Sequence, residues 1–328
     1  MNEKNQTLVT KIFLLGFQNL HSLNIPLFSM FLLIYLMTVL ENILIIVLVS
    51  SSRNLKSPMY FFLQQLSLSD LLGSTNIVPT LLETIILGRA SISLVDCITQ
   101  FNVFGGSETF VGFLLAVMSY DRYVAICIPL CYTSIMSYNI CNKLILVSWL
   151  LGLGAILITA NLIARLYFCD QNTINHFFCD FFPFLQLSCS DTFIVQLEVI
   201  LLSIPVIICP FILIIVSYMC IAHAILKIVS NTGRQKAFST CSSHLAVVSI
   251  FYGTLISIYL VPPRKESHTL SKVFSLLYTV MIPLFNPVIY SLRNKDVKEA
   301  LKSMIKCHTT TLKDVCHHII IPCYYYNI

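Results

Sequence analysis

Charge is what this sequence has least of. Only 11% of its 328 residues are Asp, Glu, Lys or Arg, while 57% are hydrophobic. A soluble globular domain carries roughly a quarter charged residues. The shortage excludes a water-soluble globule, which needs polar side chains to cover its surface, and leaves lipid as the natural solvent for most of the chain. Other absences narrow the field. No basic stripe alternates with aromatics, so nucleic acid is not an expected partner. No paired-histidine metal motif and no serine nucleophile elbow occurs, so the sequence offers no enzyme chemistry of those kinds. The two halves show no repeat of the sort that builds many transporters. The first 20 residues hold no short apolar core followed by a small-residue cleavage site, so no cleaved leader is expected.

What is present is a series of seven apolar runs, at about 25–50, 58–84, 97–127, 143–166, 194–226, 237–261 and 271–291. Each reaches the ~20 residues that a spanning helix requires. Backbone groups in lipid must be satisfied within the segment, which makes the runs helices; they lack the alternation of barrel strands. The fold class is therefore all-α membrane protein, a seven-transmembrane helix bundle. Residues 1–24 form an extracellular segment, 25–291 the bundle and 292–328 a cytoplasmic tail.

The basic residues orient it. Arg53, Lys56, Arg122, Lys143, Lys227, Arg234 and Lys236 fall on the tail side, with Arg293, Lys295, Lys298, Lys302, Lys306 and Lys313 in the tail itself. The remaining seven lie opposite, which places the tail in the cytoplasm and the N-terminus outside at the plasma membrane. A glycosylation sequon at Asn5 and four cysteines, Cys97, Cys169, Cys179 and Cys189, share the outer, oxidising side. Four cysteines allow three connectivities, and spacing does not choose among them. Prolines at 79, 205, 210, 283 and 287 interrupt the helices and act as bends, hinges or both. Beyond the seventh run, Val297, Ala300, Leu301 and Met304 recur at helical spacing opposite lysines, the pattern of a short amphipathic helix over about 294–306 on the membrane surface. His308, Cys316, His317, His318 and Cys323 in the tail are read as unpatterned, with no metal site expected.

Five strings then carry a resemblance. PMYFFLQQLSLSDLL opens the second run, MSYDRYVAIC closes the third, HFFCDFFPFLQLSC lies before the fifth, KAFSTCSSHL opens the sixth, and PLFNPVIYSLRNKDVKEAL runs through the seventh. In that order they resemble the olfactory receptors, rhodopsin-like G-protein-coupled receptors, from about residue 8 to 306. The resemblance implies an odorant as ligand, a stimulatory heterotrimeric G protein raising cAMP as partner, and no cofactor. The alternatives are a related receptor for a non-odorant ligand in another tissue, or a transporter.

The resemblance also implies roles. Asp121 restrains Arg122 at rest, and Arg122 meets the G protein when the helices open, with Tyr123, Tyr218, Lys236, Asn286, Pro287 and Tyr290 as parts of the switch. Asn42, Asp70 and Asn286 form one polar network, with water or a sodium ion near Asp70. Cys97 pairs with Cys179 and Cys169 with Cys189. The pocket lies between the third, fifth, sixth and seventh helices: Phe104, Gly105, Glu108 and Thr109; Leu202, Ser203 and Val206; Tyr252, Leu255, Ile256 and Tyr259; Leu276 and Thr279. Most of these are apolar, suited to small hydrophobic molecules. The chain departs from the family at Glu41, where glycine is usual, and at Val111, where an acid is common; here the acid is Glu108, one turn away. Glu108 is either a ligand contact favouring an amine or hydrogen-bond donor, or, as the default, a neutral carboxyl bonded to a neighbouring helix. Glu198 poses the same alternative.

Overall fold

The computed structural model describes residues 11–17, 23–52, 54–168, 172–227, 230–259, 268–293 and 296–305. It is mostly helical. Helices α1 (Asn24–Ser51), α2 (Pro58–Leu87) and α3 (Leu94–Cys127) come first. A short α4 (Tyr132–Ile135) leads to α5 (Tyr138–Ile163), and a five-residue α6 (Phe181–Leu185) precedes α7 (Phe193–Ser203) and α8 (Cys209–Leu226). Then follow α9 (Asn231–Tyr259), α10 (His268–Leu276), α11 (Ile282–Arg293) and a last helix, α12, over 296–305.

Five stretches are long and apolar enough to cross a membrane: Asn24–Ser51, Leu94–Cys127, Tyr138–Ile163, Phe193–Leu226 and Thr269–Ile289. The outward faces agree with that solvent. Leu33, Leu40, Leu150 and Leu157 stand exposed on helix surfaces, a liability in water but the required surface in hydrocarbon. α2 is as long but more polar, carrying Asp70 and Glu83, and the apolar part of α9 is His244–Tyr259.

All seven predicted runs are helical where described, and the differences lie at their ends. α5 begins at Tyr138 and α9 at Asn231, five and six residues before the hydropathy reading starts them. Their first turns hold Asn139, Asn142 and Lys143, or Asn231, Arg234 and Lys236. A helical turn in water or headgroups needs no apolar side chain, so hydropathy does not see it.

α3 is the central post, touching α2, α5, α8 and α9. Its contact with α5 is a backbone approach. A Cβ on Gly152 would sit 3.0 Å from the Phe110 nitrogen and 3.1 Å from the Gly106 carbonyl oxygen. Small residues at such crossings let van der Waals contact replace the hydrophobic effect, which does not drive helices together in lipid. Next to it the Phe110 and Trp149 rings stack with centroids 4.0 Å apart.

The prolines are accommodated in distinct ways. A π-helical turn, Ile204–Ile208, takes up Pro205 between α7 and α8, and another, Leu277–Met281, joins α10 to α11. Pro287 has no N–H to offer the Pro283 carbonyl four residues earlier. Asn42 of α1 supplies the missing donor: its Nδ2 lies 3.1 Å from Pro283 O and 2.9 Å from Thr38 O.

At the Cys97 end of the bundle sits a three-stranded sheet absent from the helical reading. β1 (Lys11–Leu14) lies in its middle, antiparallel to β2 (Ala90–Ser93) and parallel to β3 (Thr173–Ile174). Ile12 and Leu14 point down into a cluster with Cys97, Phe181 and Phe184. Gly16 then turns the chain at φ 54°; a Cβ there would also meet Thr84 Oγ1 at 2.5 Å. Lys272 of α10 fastens this segment, donating to Gly16 O and to Asn175 Oδ1. At the other end, α12 buries Val297 and Ala300, and Tyr60 at the base of α2 donates to Asp296 Oδ2 at 2.8 Å.

Candidate functional site

A cavity of about 890 Å³, its mouth included, opens beneath the sheet. α3 gives it Phe101, Phe104, Gly105, Glu108, Thr109 and Gly112, and the α7–α8 segment gives Val199, Leu202, Ser203, Val206 and Ile207. Leu255 and Tyr259 come from α9 and Tyr278 from the turn after α10. The structure thus gathers nine residues singled out in the sequence: Phe104, Gly105, Glu108, Thr109, Leu202, Ser203, Val206, Leu255 and Tyr259.

Four others stand outside the lining. Tyr252 is buried with its hydroxyl donating to Gly112 O at 2.8 Å, which ties α9 to α3. Thr279 donates to Ser275 O at 2.7 Å within its own helix. Ile256 and Leu276 pack against the main core. The π turn after α10 explains part of this: one extra residue per turn changes which side chains face inward, and it brings Tyr278 to the wall instead.

Sequence reasoning also missed an entire wall. Ala155, Ile156 and Thr159 of α5 line the cavity, as do Asp180 and Phe181 from the segment after β3. Gly105 admits that wall, since a Cβ there would run into Ile156 Cδ1 at 2.5 Å. The paired small residues of α3 and α5 were the available signal.

The roof is tied down covalently. Cys97 at the start of α3 is disulfide-bonded to Cys179. Cys189 is also disulfide-bonded, while Cys169 lies outside the described residues. Asp180, next to Cys179, accepts from Phe181 N at 2.8 Å and from the Tyr259 hydroxyl at 2.9 Å. Burial pushes its carboxyl above the ordinary carboxylate range, and those two donors pull it partly back.

The polar groups deeper in the bundle fall into two sets. Asn286 Nδ2 reaches both oxygens of Asp70, at 3.2 and 3.0 Å. Asn42 bonds backbone carbonyls instead, as described above, so no direct hydrogen bond joins it to that pair. Glu198 accepts from Thr159 at 3.0 and 3.2 Å, the structural alternative for that acid. Glu41, the residue peculiar to α1, has its Oε2 buried with no hydrogen-bond partner among the described residues.

At the far end, Asp121 is fully buried. Arg122 pairs with it through Nε at 3.0 Å and through a second guanidinium nitrogen. Tyr132 of α4 donates to its other oxygen at 2.8 Å. Tyr132 was not anticipated; it opens the short α4 between the longer helices, and its hydroxyl has no sequence signature. Tyr218 bonds His244 Nδ1 at 2.7 Å and stacks on its ring, and Tyr123 lies against Tyr120 with centroids 6.2 Å apart. The side chains of Lys236 and Tyr290, and Asn5, lie outside the described residues.

A multi-pass bundle with a roofed apolar cavity at one end and a paired Asp–Arg at the other is the arrangement of a membrane receptor. Sequence comparison agrees. A family model described as "Olfactory receptor" matches residues 31–308. The chain is 45% identical to human olfactory receptor 11L1, covering 93% of this chain and 95% of that one. It is 46% identical to rat olfactory receptor 1468, over 92% and 96% of the two chains, and 46% identical to mouse olfactory receptor 5AP2, over 93% and 96%. The chain therefore belongs to the olfactory receptor family, whose members are G-protein-coupled receptors and not enzymes.

Proposed function

We propose that the chain is an odorant receptor whose seven helical runs all cross the plasma membrane, with the N-terminus outside and α12 on the cytoplasmic lipid surface. Small, mostly hydrophobic molecules bind in the cavity and activate a stimulatory heterotrimeric G protein, raising cAMP. The observation that carries this reading is the cavity itself: a mainly apolar space with walls from α3, α5, α7 and α9 under a disulfide-tied roof. Because helices on different sides share one guest, a ligand that fits one arrangement better than another shifts their balance by its differential affinity. The readout lies at the Arg122 end, where the Asp121–Arg122–Tyr132 cluster holds the resting arrangement. Releasing Arg122 there would open a surface for the G protein, a coupling between two distinct sites.

The Asp70 region also carries the inorganic part of this reading. Asp70 is buried, and Ser74 Oγ and Asn286 Oδ1 have no hydrogen-bond partner among the described residues. These are oxygen donors of the kind a hard cation takes, and they support a sodium ion held at Asp70. Replacing sodium with choline in a binding assay then changes agonist affinity; an unchanged affinity removes the ion from the scheme.

The deciding experiment is surface expression with a cAMP reporter, screened against a broad volatile panel. An active volatile that loses its response in Arg122→Ala, at unchanged surface level, is the expected result. Protease cleavage of the Lys-rich tail on intact cells would reverse the topology and end the proposal.

A further inference from the structure

Buried polar groups take partners when the protein can provide them, and most acids set into this bundle have one. Asp70 accepts from Asn286, Asp121 from Arg122 and Tyr132, Asp180 from Phe181 N and Tyr259, and Glu198 from Thr159. Glu108 makes no hydrogen bond and no ion pair among the described residues. The arrangement in which a neighbouring helix satisfies it is therefore not the one formed. Glu41 Oε2 is also unpartnered, but Glu41 is no part of the cavity lining. Glu108 is.

The surroundings define what could complete it. Gly73 of α2 is a neighbour of the carboxylate: a Cβ there would meet Glu108 Oε1 at 3.6 Å, an ordinary contact. The lining contains a second acid, Asp180, and no Lys, Arg or His. The hydroxyls of Thr109, Thr159 and Ser203 already donate to Gly105 O, Glu198 and Ile200 O. The Tyr278 hydroxyl in the wall is also without a partner among the described residues; Glu108 is the lining acid with its bonding capacity unspent, and the guest group that an acid matches is a donor. A ketone, ester or ether offers none. An ammonium offers several donors and the opposite charge, in a low-dielectric space where an ion pair is stronger than in water.

Resting on the receptor reading above, we infer that the cavity selects small, otherwise apolar amines, whose ammonium pairs with the Glu108 carboxylate while the hydrocarbon part lies against the apolar walls. The proton balance closes with the two partners: a neutral amine takes the proton of the Glu108 carboxyl, or an ammonium pairs after Glu108 has released its proton to solvent, and either way the pair is neutral overall.

The test uses the full-length receptor and matched compounds: primary amines of six to eight carbons, each with the alcohol and methyl ether of the same skeleton. In cells with the cAMP reporter, at least one amine acts at roughly tenfold lower concentration than its alcohol, the scale of a hydrogen bond to a charged group. Glu108→Gln removes most of that preference, costing the amine roughly tenfold more than the alcohol, and Glu108→Asp keeps part of it. Equal losses for amine and alcohol in Glu108→Gln overturn the inference, as do alcohols or ethers that activate while every amine is silent; both leave the receptor reading intact. Should no compound signal, thermal stabilisation of purified receptor by the same panel decides. Amine-selective stabilisation that is lost in Glu108→Gln upholds the inference and moves the fault to coupling. No amine-selective stabilisation overturns it.

Discussion

The two ends of this bundle are held by different kinds of bond. At the Cys97 end a disulfide, a three-stranded sheet and the Lys272 clamp join the N-terminal segment, the top of α3 and the roof. At the Arg122 end, hydrogen bonds between side chains do the work: Asp121 to Tyr132, Tyr218 to His244, Tyr60 to Asp296. A covalent link and a strand ladder fix one geometry, whereas single hydrogen bonds of about 1 kcal/mol each exchange readily. The lesson is a division of labour. On the proposed reading, the cavity end keeps its shape, and the end with the weaker, separable bonds is where two arrangements compete.

That comparison can be broken in several places. The largest effect is expected from Cys179→Ser. Loss of a native disulfide costs about 2–5 kcal/mol, so surface labelling and thermal stability of the purified receptor both drop sharply. Normal values for both would mean that the sheet alone holds the roof. Next comes the α3–α5 crossing between the two ends. Gly152→Leu forces side-chain atoms into the Phe110 and Gly106 backbone, an overpacking cost of about 1–3 kcal/mol read as a lowered melting temperature. Gly154→Leu is the control, because a Cβ there meets nothing within 4 Å; equal losses in both would place the damage elsewhere.

A smaller effect belongs to the weak end. Tyr132→Phe deletes one donor to Asp121, worth about 1 kcal/mol. Basal cAMP without ligand rises several-fold, about what that energy allows, with surface level unchanged. Lower or unchanged basal signal would show that Tyr132 does not restrain the resting arrangement.

The last prediction concerns acid at the strong end. Asp180 has its carboxyl raised by burial, so its folded form prefers the proton. Its contribution to stability is greatest below the ordinary Asp value of 3.8 and declines as pH rises through the raised one. Asp180→Asn, which cannot ionise, flattens the part of the stability–pH slope that lies between 3.8 and the raised value. The same slope in both proteins removes Asp180 as its source.

Parts of this molecule were open to a reader of the sequence. The apolar runs show themselves because lipid demands a continuous hydrophobic surface. Val297, Ala300 and Met304 mark α12 by spacing alone. Nine cavity residues followed from the pocket that the resemblance implies, stepped at helical intervals along α3, the segment from α7 to α8, and α9. The step failed at Thr279, where a π turn alters the phase and puts Tyr278 on the wall. It failed again at α5, whose contribution depends on how closely Gly105, Gly106 and Gly152 let two backbones approach. The sheet was missed because strands of two to four residues leave too little alternation to distinguish from a loop.

By itself the sequence determined the solvent, the helical character of the runs, the positions of the prolines and the cysteines available to the roof. These are local properties, carried by hydropathy, spacing and ring chemistry within one segment. Only the tertiary structure decided that Asn42 answers the carbonyl freed by Pro287, that Asp121 meets Tyr132, and that Glu108 lines an open cavity with no hydrogen-bond partner among the described residues. Those outcomes depend on the rotation and tilt of whole helices, which packing between distant residues sets and no short stretch of sequence contains.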